Sequence, residues 1–121
     1  MISGVHAIVF TPAADEVTAF FHDTLGLPSV DAGGGWLIFA LPPAELAVHP
    51  AETTSQELYL MCDDLDATVA ALDERGVKLT RSITEASWGR VTAIALPGGS
   101  ELALYQPRHP SPHDGSAAKA E

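Results

Sequence analysis

The chemistry in this 121-residue chain resides in carboxylates, imidazoles and aromatic rings set in or beside short apolar runs. Glu57 opens Leu58-Tyr59-Leu60-Met61, where an unpaired carboxylate would be costly to bury. It therefore needs a cationic or metal partner, or a strand-end place next to water. His6 lies in a second apolar run, Val5 to Thr11, either as a ligand or as a hydrogen-bonded core histidine. Glu45 and His49 flank Ala47 at alternate positions, and Glu101 and Tyr105 flank Ala103 in the same way. Each trio would share one face of an extended strand. Glu45 and Glu101 are read either as cavity carboxylates or as hairpin-edge charges. His49, before Pro50, and Tyr105, before Gln106-Pro107, could line a pocket or close its mouth. Trp36 and Trp88 offer flat surfaces for ligand stacking or for core packing. Arg90 is suited to an anionic group or to a place on the surface.

Other chemistries are set aside on the same basis. Cys62 is followed by Asp63 and Asp64, whose negative field disfavours a thiolate, so it is a poor nucleophile. Gly33-Gly34-Gly35 lies between strand-like runs and opens no helix, so it lacks the amide array of a phosphate loop. The chain contains no Gly-x-Ser-x-Gly nucleophile elbow, no CxxC and no HExxH.

The elements that must position these residues read as a repeat. Val5 to Thr11 is β-branched and ends at Pro12, as a strand should. An amphipathic helix follows, with Asp15 and Glu16 in its first turn, Phe20, Phe21 and Leu25 on its apolar side, and Gly26 as its stop. Leu27 to Asp31, Trp36 to Leu41 and Ala44 to His49 complete a βαβββ order, divided by the three glycines and by Pro42-Pro43. The second half repeats it: strand Gln56 to Cys62, helix Asp64 to Arg75 closed by Gly76, then strands Val77 to Ile83, Val91 to Leu96 and Glu101 to Gln106. Glu45-Leu46-Ala47 and Glu101-Leu102-Ala103 sit alike at the ends of the two halves. The reading is an α+β single domain over residues 1–107, with modules at about 4–50 and 56–107.

Residues 108–121 contain no large apolar side chain and are expected to form a flexible tail, His109 and His113 included. Sixteen acidic against six basic residues give a formal charge of -10, which repels phosphate backbones and anionic headgroups and argues against nucleic acid and membrane partners. With no basic leader, no long apolar run and a single cysteine, the expected protein is soluble and cytoplasmic, held together by a packed core.

Taken together, the opening strand with His6, Phe20-Phe21-His22-Asp23-Thr24-Leu25-Gly26, Asp64-Leu65-Asp66-Ala67-Thr68-Val69, Trp88-Gly89-Arg90 and Leu104-Tyr105-Gln106-Pro107 resemble the vicinal oxygen chelate superfamily. That group includes glyoxalase I, extradiol dioxygenases, fosfomycin-resistance enzymes and bleomycin-binding proteins. The resemblance spans about residues 4 to 107. It implies tandem βαβββ modules whose sheets curl around a cavity, and a homodimer. It also implies a divalent metal held by one position in the first and one in the last strand of each module. His6 matches the first position, and the offset between the helices, Phe21 against Leu72, carries it to Glu57. Both residue types can ligate a borderline metal. The last-strand positions fall on Ala47 and Ala103, which cannot, and a shift to Glu45, His49 or Glu101 would move a ligand by roughly 6.5 to 7 Å along the strand.

Two functions follow. In the first, a protein with a degenerate metal site encloses a small organic molecule, an antibiotic or other natural product, through His6, Glu57, Glu45, His49, Glu101, Tyr105, Trp36 and Trp88. In the second, a divalent-metal-dependent lyase, isomerase or dioxygenase holds its ion with His6 and Glu57 and polarises vicinal oxygens of its substrate.

Overall fold

The computed structural model describes residues 6–45, 47–48, 50–111 and 113. The chain divides into two compact units: an N-terminal one running to Ala44 and taking in Leu96–Ser100, and a C-terminal one of Glu45–Ala95 with the residues from Glu101 onward.

In the N-terminal unit, α1 (Ala14–Ala19) starts after Thr11, whose hydroxyl accepts the Ala13 amide at 3.1 Å. Asp15 and Glu16 in its first turn complement the helix dipole. The helix widens into one π-helical turn over Phe20–Thr24. Gly26, at φ 67°, stops it. Val17 and Phe20 are its buried residues. An antiparallel hairpin follows, β1 (Ser29–Asp31) with β2 (Leu37–Phe39). Its loop depends on glycine, because Gly33, Gly34 and Gly35 all have positive φ. The Asp31 carboxylate accepts the amides of Gly33 at 2.7 Å and Gly35 at 3.3 Å. Phe21 meets Phe39 edge-on at 5.7 Å.

The two outer strands expected in this half are absent among the described residues. Residues 6–11 and the described part of 44–49 lie in no ladder, whereas Val5, Leu46 and His49 fall outside the described residues. A β-branched run becomes a strand only against a neighbour, and Ile8 and Phe10 stand 59% and 89% exposed without one. Pro42, Pro43 and Pro50 remove amide donors on both sides of the second segment.

The C-terminal unit holds the whole βαβββ order: β3 (Tyr59–Met61), α2 (Leu65–Glu74), β4 (Leu79–Ala86), β5 (Gly89–Ala95) and β6 (Glu101–Pro107). The sheet runs β3-β6-β5-β4, with β3 parallel to β6 and the other pairs antiparallel. Asp64 caps α2 by accepting the Ala67 amide at 3.1 Å. At the other end the Gly76 and Val77 amides return to the Asp73 and Leu72 carbonyls, both at 3.0 Å, as a glycine stop requires. Leu65, Leu72, Ile94, Leu102 and Leu104 form the buried layer of this unit. Gln106 ties helix to sheet, its side-chain oxygen accepting the Leu65 amide at 2.7 Å. Removing the cap by Asp64→Ala is expected to cost about 1 kcal/mol, measured by urea unfolding.

Arg90 stitches the helix side of the sheet, reaching Asp66 at 3.0 Å and Glu85 at 2.7 Å, while Arg108 also pairs with Glu85. The Arg90 hydrogen bonds hold the Asp66 and Glu85 carboxyls below their ordinary range. Groups depressed in the folded state add stability that is complete above their unfolded values, about 3.9 and 4.3, and fades as pH falls through the folded ones. Arg90→Met should therefore flatten the acid limb of a stability-pH curve by lowering its upper end, above about pH 4, with little change at the low-pH end where these carboxyls are already protonated. An unchanged limb would show that these pairs are too exposed to contribute.

Candidate functional site

The C-terminal sheet has two unlike faces, and the ladder shows which residues share each one. Leu102, Leu104 and Gln106 on β6 pair with Ile94, Thr92 and Arg90 on β5, and these belong to the side that carries α2. The alternate residues Glu101, Ala103 and Tyr105 pair with Ala95, Ala93 and Val91, while Tyr59 and Met61 on β3 pair with Ala103 and Tyr105. This second face is open. It carries a shallow depression of about 200 Å³ lined by Arg81, Thr84, Ala86, Trp88 and Val91.

Tyr105 is the centre of an aromatic cluster at one end of that face. Its ring lies 6.1 Å from Tyr59, 5.6 Å from Trp88 and 5.8 Å from His109. Gly89 provides the space, since a Cβ there would fall 2.6 Å from the Tyr105 ring. Burial and the Glu45 charge push the Tyr105 hydroxyl up. Glu45 itself is 16% exposed, with Oε1 3.5 Å from His109 Nε2. Its Oε2 is enclosed and has no hydrogen-bond partner among the described residues. On the neighbouring strand the Tyr59 hydroxyl donates to Glu57, a bond that raises the phenol. At the far rim Arg81 and Thr80 both donate to Glu101 and keep its carboxyl low.

Glu45, Glu57, Glu101, Tyr105 and Trp88 therefore all lie in the C-terminal unit. Within it Tyr105 joins Trp88 directly, Glu45 joins Tyr105 through His109, and Glu57 joins through Tyr59. Glu101 is engaged instead with Arg81. His6 and Trp36 belong to the N-terminal unit. His6 is exposed outside any strand, and Trp36, 63% exposed, ends the glycine loop with its amide on the Gly33 carbonyl. His49 lies outside the described residues. Arg90, weighed as an anion ligand, is taken up by Asp66 and Glu85 on the helix side. The Cys62 thiol is raised as expected, though chiefly by burial, with the Asp63 charge a smaller cause. Sequence reasoning missed Tyr59, Arg81 and His109 as members of this face. Tyr59 was accessible, since it stands two residues after Glu57 on the same strand face.

The positions that resemblance assigns to a metal do not form a matching donor set. Ala103 presents only a methyl between Tyr59 and Ala93, Ala47 is an exposed methyl, and Glu57 is engaged by a phenol. Two alanines leave too few ligands for an ion that takes three protein donors or more. Among the described residues no three His, Cys, Asp or Glu side chains cluster as metal ligands, and no helix is long and apolar enough to cross a membrane.

Comparison with known proteins places this geometry. TnmS3, an antibiotic binding protein from Streptomyces sp. CB03234, is 28% identical with a TM-score of 0.63 over 88% of this chain and 97% of its own. A superfamily member from Sphaerobacter thermophilus DSM 20745 is 24% identical, with a TM-score of 0.57 over 87% and 98% of the two chains. The lactoylglutathione lyase of Agrobacterium tumefaciens is 14% identical, with a TM-score of 0.62 over 87% and 94%, a likeness of fold alone. Among curated proteins none matches. Residues 4–104 match the family model described as Glyoxalase/Bleomycin resistance protein/Dioxygenase superfamily. With that match over most of the chain and a C-terminal unit in βαβββ order, the chain belongs to the Glyoxalase/Bleomycin resistance protein/Dioxygenase superfamily.

Proposed function

We propose that this chain binds a small aromatic organic molecule on the open face of its C-terminal sheet and holds it without turning it over. One observation carries the reading: where a metal-dependent relative would present a ligand in its last strand, this chain has Ala103, and beside it stands the cluster of Tyr105, Tyr59 and Trp88. Aromatic walls with a few placed polar groups are the usual make-up of organic-ligand sites. The likeness to an antibiotic binding protein supports the same reading. The alternative, a metal-dependent lyase, isomerase or dioxygenase, requires donors that Ala47 and Ala103 do not provide.

A depression of about 200 Å³ is smaller than the roughly 300–1,000 Å³ of ordinary ligand sites. A second wall is needed, and we assign it to a second copy of the chain, as a homodimer in the cytoplasm. Sedimentation velocity should return twice the chain mass.

The binding test is a thermal-shift screen with bleomycin and a panel of aromatic antibiotics. A true ligand at about 100 times its dissociation constant should stabilise the protein by roughly 2.7 kcal/mol. Tyr105→Ala should abolish that shift, and chelation with EDTA should leave it intact. Loss of binding on chelation would overturn the metal-free reading, and a panel without a saturable ligand would overturn the binding function itself.

A further inference from the structure

Thr92 is a polar residue in the buried layer that holds Leu65, Ile94 and Leu104, and it is 1% exposed. A hydroxyl in such a place needs a partner, and it donates to the Arg81 carbonyl on β4 at 2.7 Å. The bond stands where the β4–β5 ladder skips a step. Arg81 pairs with Ala93 and Thr84 with Val91, so that Ser82 and Ile83 together oppose Thr92. That is a β-bulge, the device by which a strand re-aims its side chains. Three residues apart on an unbroken strand, Arg81 and Thr84 would project to opposite faces. With the extra residue both lie on the open face and line the same depression, beside Ala86, Trp88 and Val91.

The guanidinium is already balanced in charge. Arg81 Nε donates to Glu101 Oε1 at 3.0 Å and Nη2 donates to the same oxygen, while Thr80 donates to Glu101 Oε2 at 2.6 Å. Both carboxylate oxygens are taken, whereas Arg81 Nη1 has no partner among the described residues. These bonds keep Glu101 ionised by holding its carboxyl low, and the Glu57 charge also acts on the guanidinium. An anion brought to Nη1 meets that negative field, and a neutral oxygen does not.

We infer that Arg81 and Thr84 form the polar end of the binding face, a subsite for a neutral oxygen acceptor such as a ketone, lactone or amide carbonyl carried by an aromatic ring, and that Thr92 is the positioning residue that holds the bulge on which both stand. The inference rests on the proposed small-molecule function and deepens it by naming the group that the ligand presents. Trp88 joins the two parts, since it lines the depression and lies 5.6 Å from Tyr105. The hydroxyl of Thr84 adds a second donor of no charge.

The probes are single substituted rings, matched to a depression of about 200 Å³: acetophenone with a neutral carbonyl, benzoate with an anionic group, and toluene with neither. Each is titrated into the full chain and followed by the Trp88 indole resonance, assigned with Trp36→Phe. Acetophenone should bind on the order of millimolar, as a fragment of its size can. It should bind at least about five-fold more tightly than toluene or benzoate, the difference that one hydrogen bond to a charged donor makes. Arg81→Met should reduce acetophenone to the toluene value. Glu101→Gln should tighten benzoate at least about five-fold, because it removes the opposing charge and keeps the shape. Thr92→Val should lower acetophenone affinity as Arg81→Met does, and Thr92→Ser should restore it, with toluene binding alike in all three. Adding Thr92→Val to Arg81→Met should bring no further loss. Thr92→Ala replaces Thr92→Val if that variant does not fold. Acetophenone that binds no better than toluene, that ignores Arg81→Met, or that yields to benzoate in the native protein would overturn the subsite. Full acetophenone affinity in the folded Thr92 variant without a hydroxyl would overturn the role of Thr92. If toluene and acetophenone bind equally and Tyr105→Ala abolishes both, the polar end falls and the binding function stands. If neither the probes nor the antibiotics bind, both fall.

Discussion

Replacing Ile94 by alanine is expected to destabilise the protein by about 3 to 4 kcal/mol, against about 1 kcal/mol or less for Val91→Ala three residues earlier on the same strand. Ile94 is fully buried and faces Leu102 and Leu79 across the two neighbouring strands. Truncation there removes a large apolar group from a layer that includes Leu65, Leu72 and Leu104, and the surrounding strands cannot close on the cavity without breaking register. Val91 belongs to the other face, opposite Tyr105, where it is only half-buried and lines the depression. Its loss should therefore reduce ligand affinity more than stability. Ile94→Ala should do the reverse, with binding per folded molecule unchanged. Guanidinium unfolding and a ligand titration on both variants separate the two faces, and equal costs at the two positions would contradict the assignment of core and site to opposite sides of the sheet.

That division was legible in the sequence where two signals agreed. Asp64 before the second helix and Gly76 after it are a cap and a stop that act within a few residues, so α2 forms where its sequence says it should. Alternation along Glu101 to Pro107 likewise placed Tyr105 and Ala103 on one face and Leu102 and Leu104 on the other. The run at residues 6–10 shows the limit. Its composition is that of a strand, yet strand formation depends on a hydrogen-bonding neighbour that composition cannot name, and residues 6–10 lie in no ladder among the described residues. The residues of the candidate face were placed in the same measure. Ala103, Tyr105 and Trp88 followed from the repeat and its resemblance. The meeting of Glu45 with His109 joins positions 64 apart in sequence by a contact that no periodicity encodes. Arg81, which pairs with Glu101, stands in β4 between two register shifts, from Leu79 to Arg81 and from Arg81 to Thr84, and such irregularities leave no mark in an alternating pattern.

Gly89→Ala should cost about 2 to 3 kcal/mol and also disable the proposed site, although it adds one methyl group at the end of a strand. The cost does not come from backbone conformation, since Gly89 is not among the positive-φ glycines. It comes from space: the new Cβ would stand 2.6 Å from the Gln106 carbonyl oxygen and 2.6 Å from Cε2 of Tyr105. A tyrosine ring can swing aside at modest expense. The carbonyl cannot, because it belongs to β6 between residues paired to Val91 and Gly89, and moving it opens the end of the β5–β6 ladder. A double-mutant cycle with Tyr105→Ala divides these contributions. Removing the ring should return only part of the lost stability, the remainder being the clash with the main chain. Near-UV circular dichroism should lose the signal of the coupled Trp88, Tyr105 and Tyr59 rings in Gly89→Ala even under conditions where it is fully folded, and the affinity for any ligand found in the antibiotic screen should fall with it. Full recovery of stability in the double variant would place the obstacle in the ring alone. A Gly89→Ala protein with native stability and an unchanged aromatic signal would mean that Tyr105 does not lie over this glycine, and the cluster on which the proposed binding face rests would have to be redrawn.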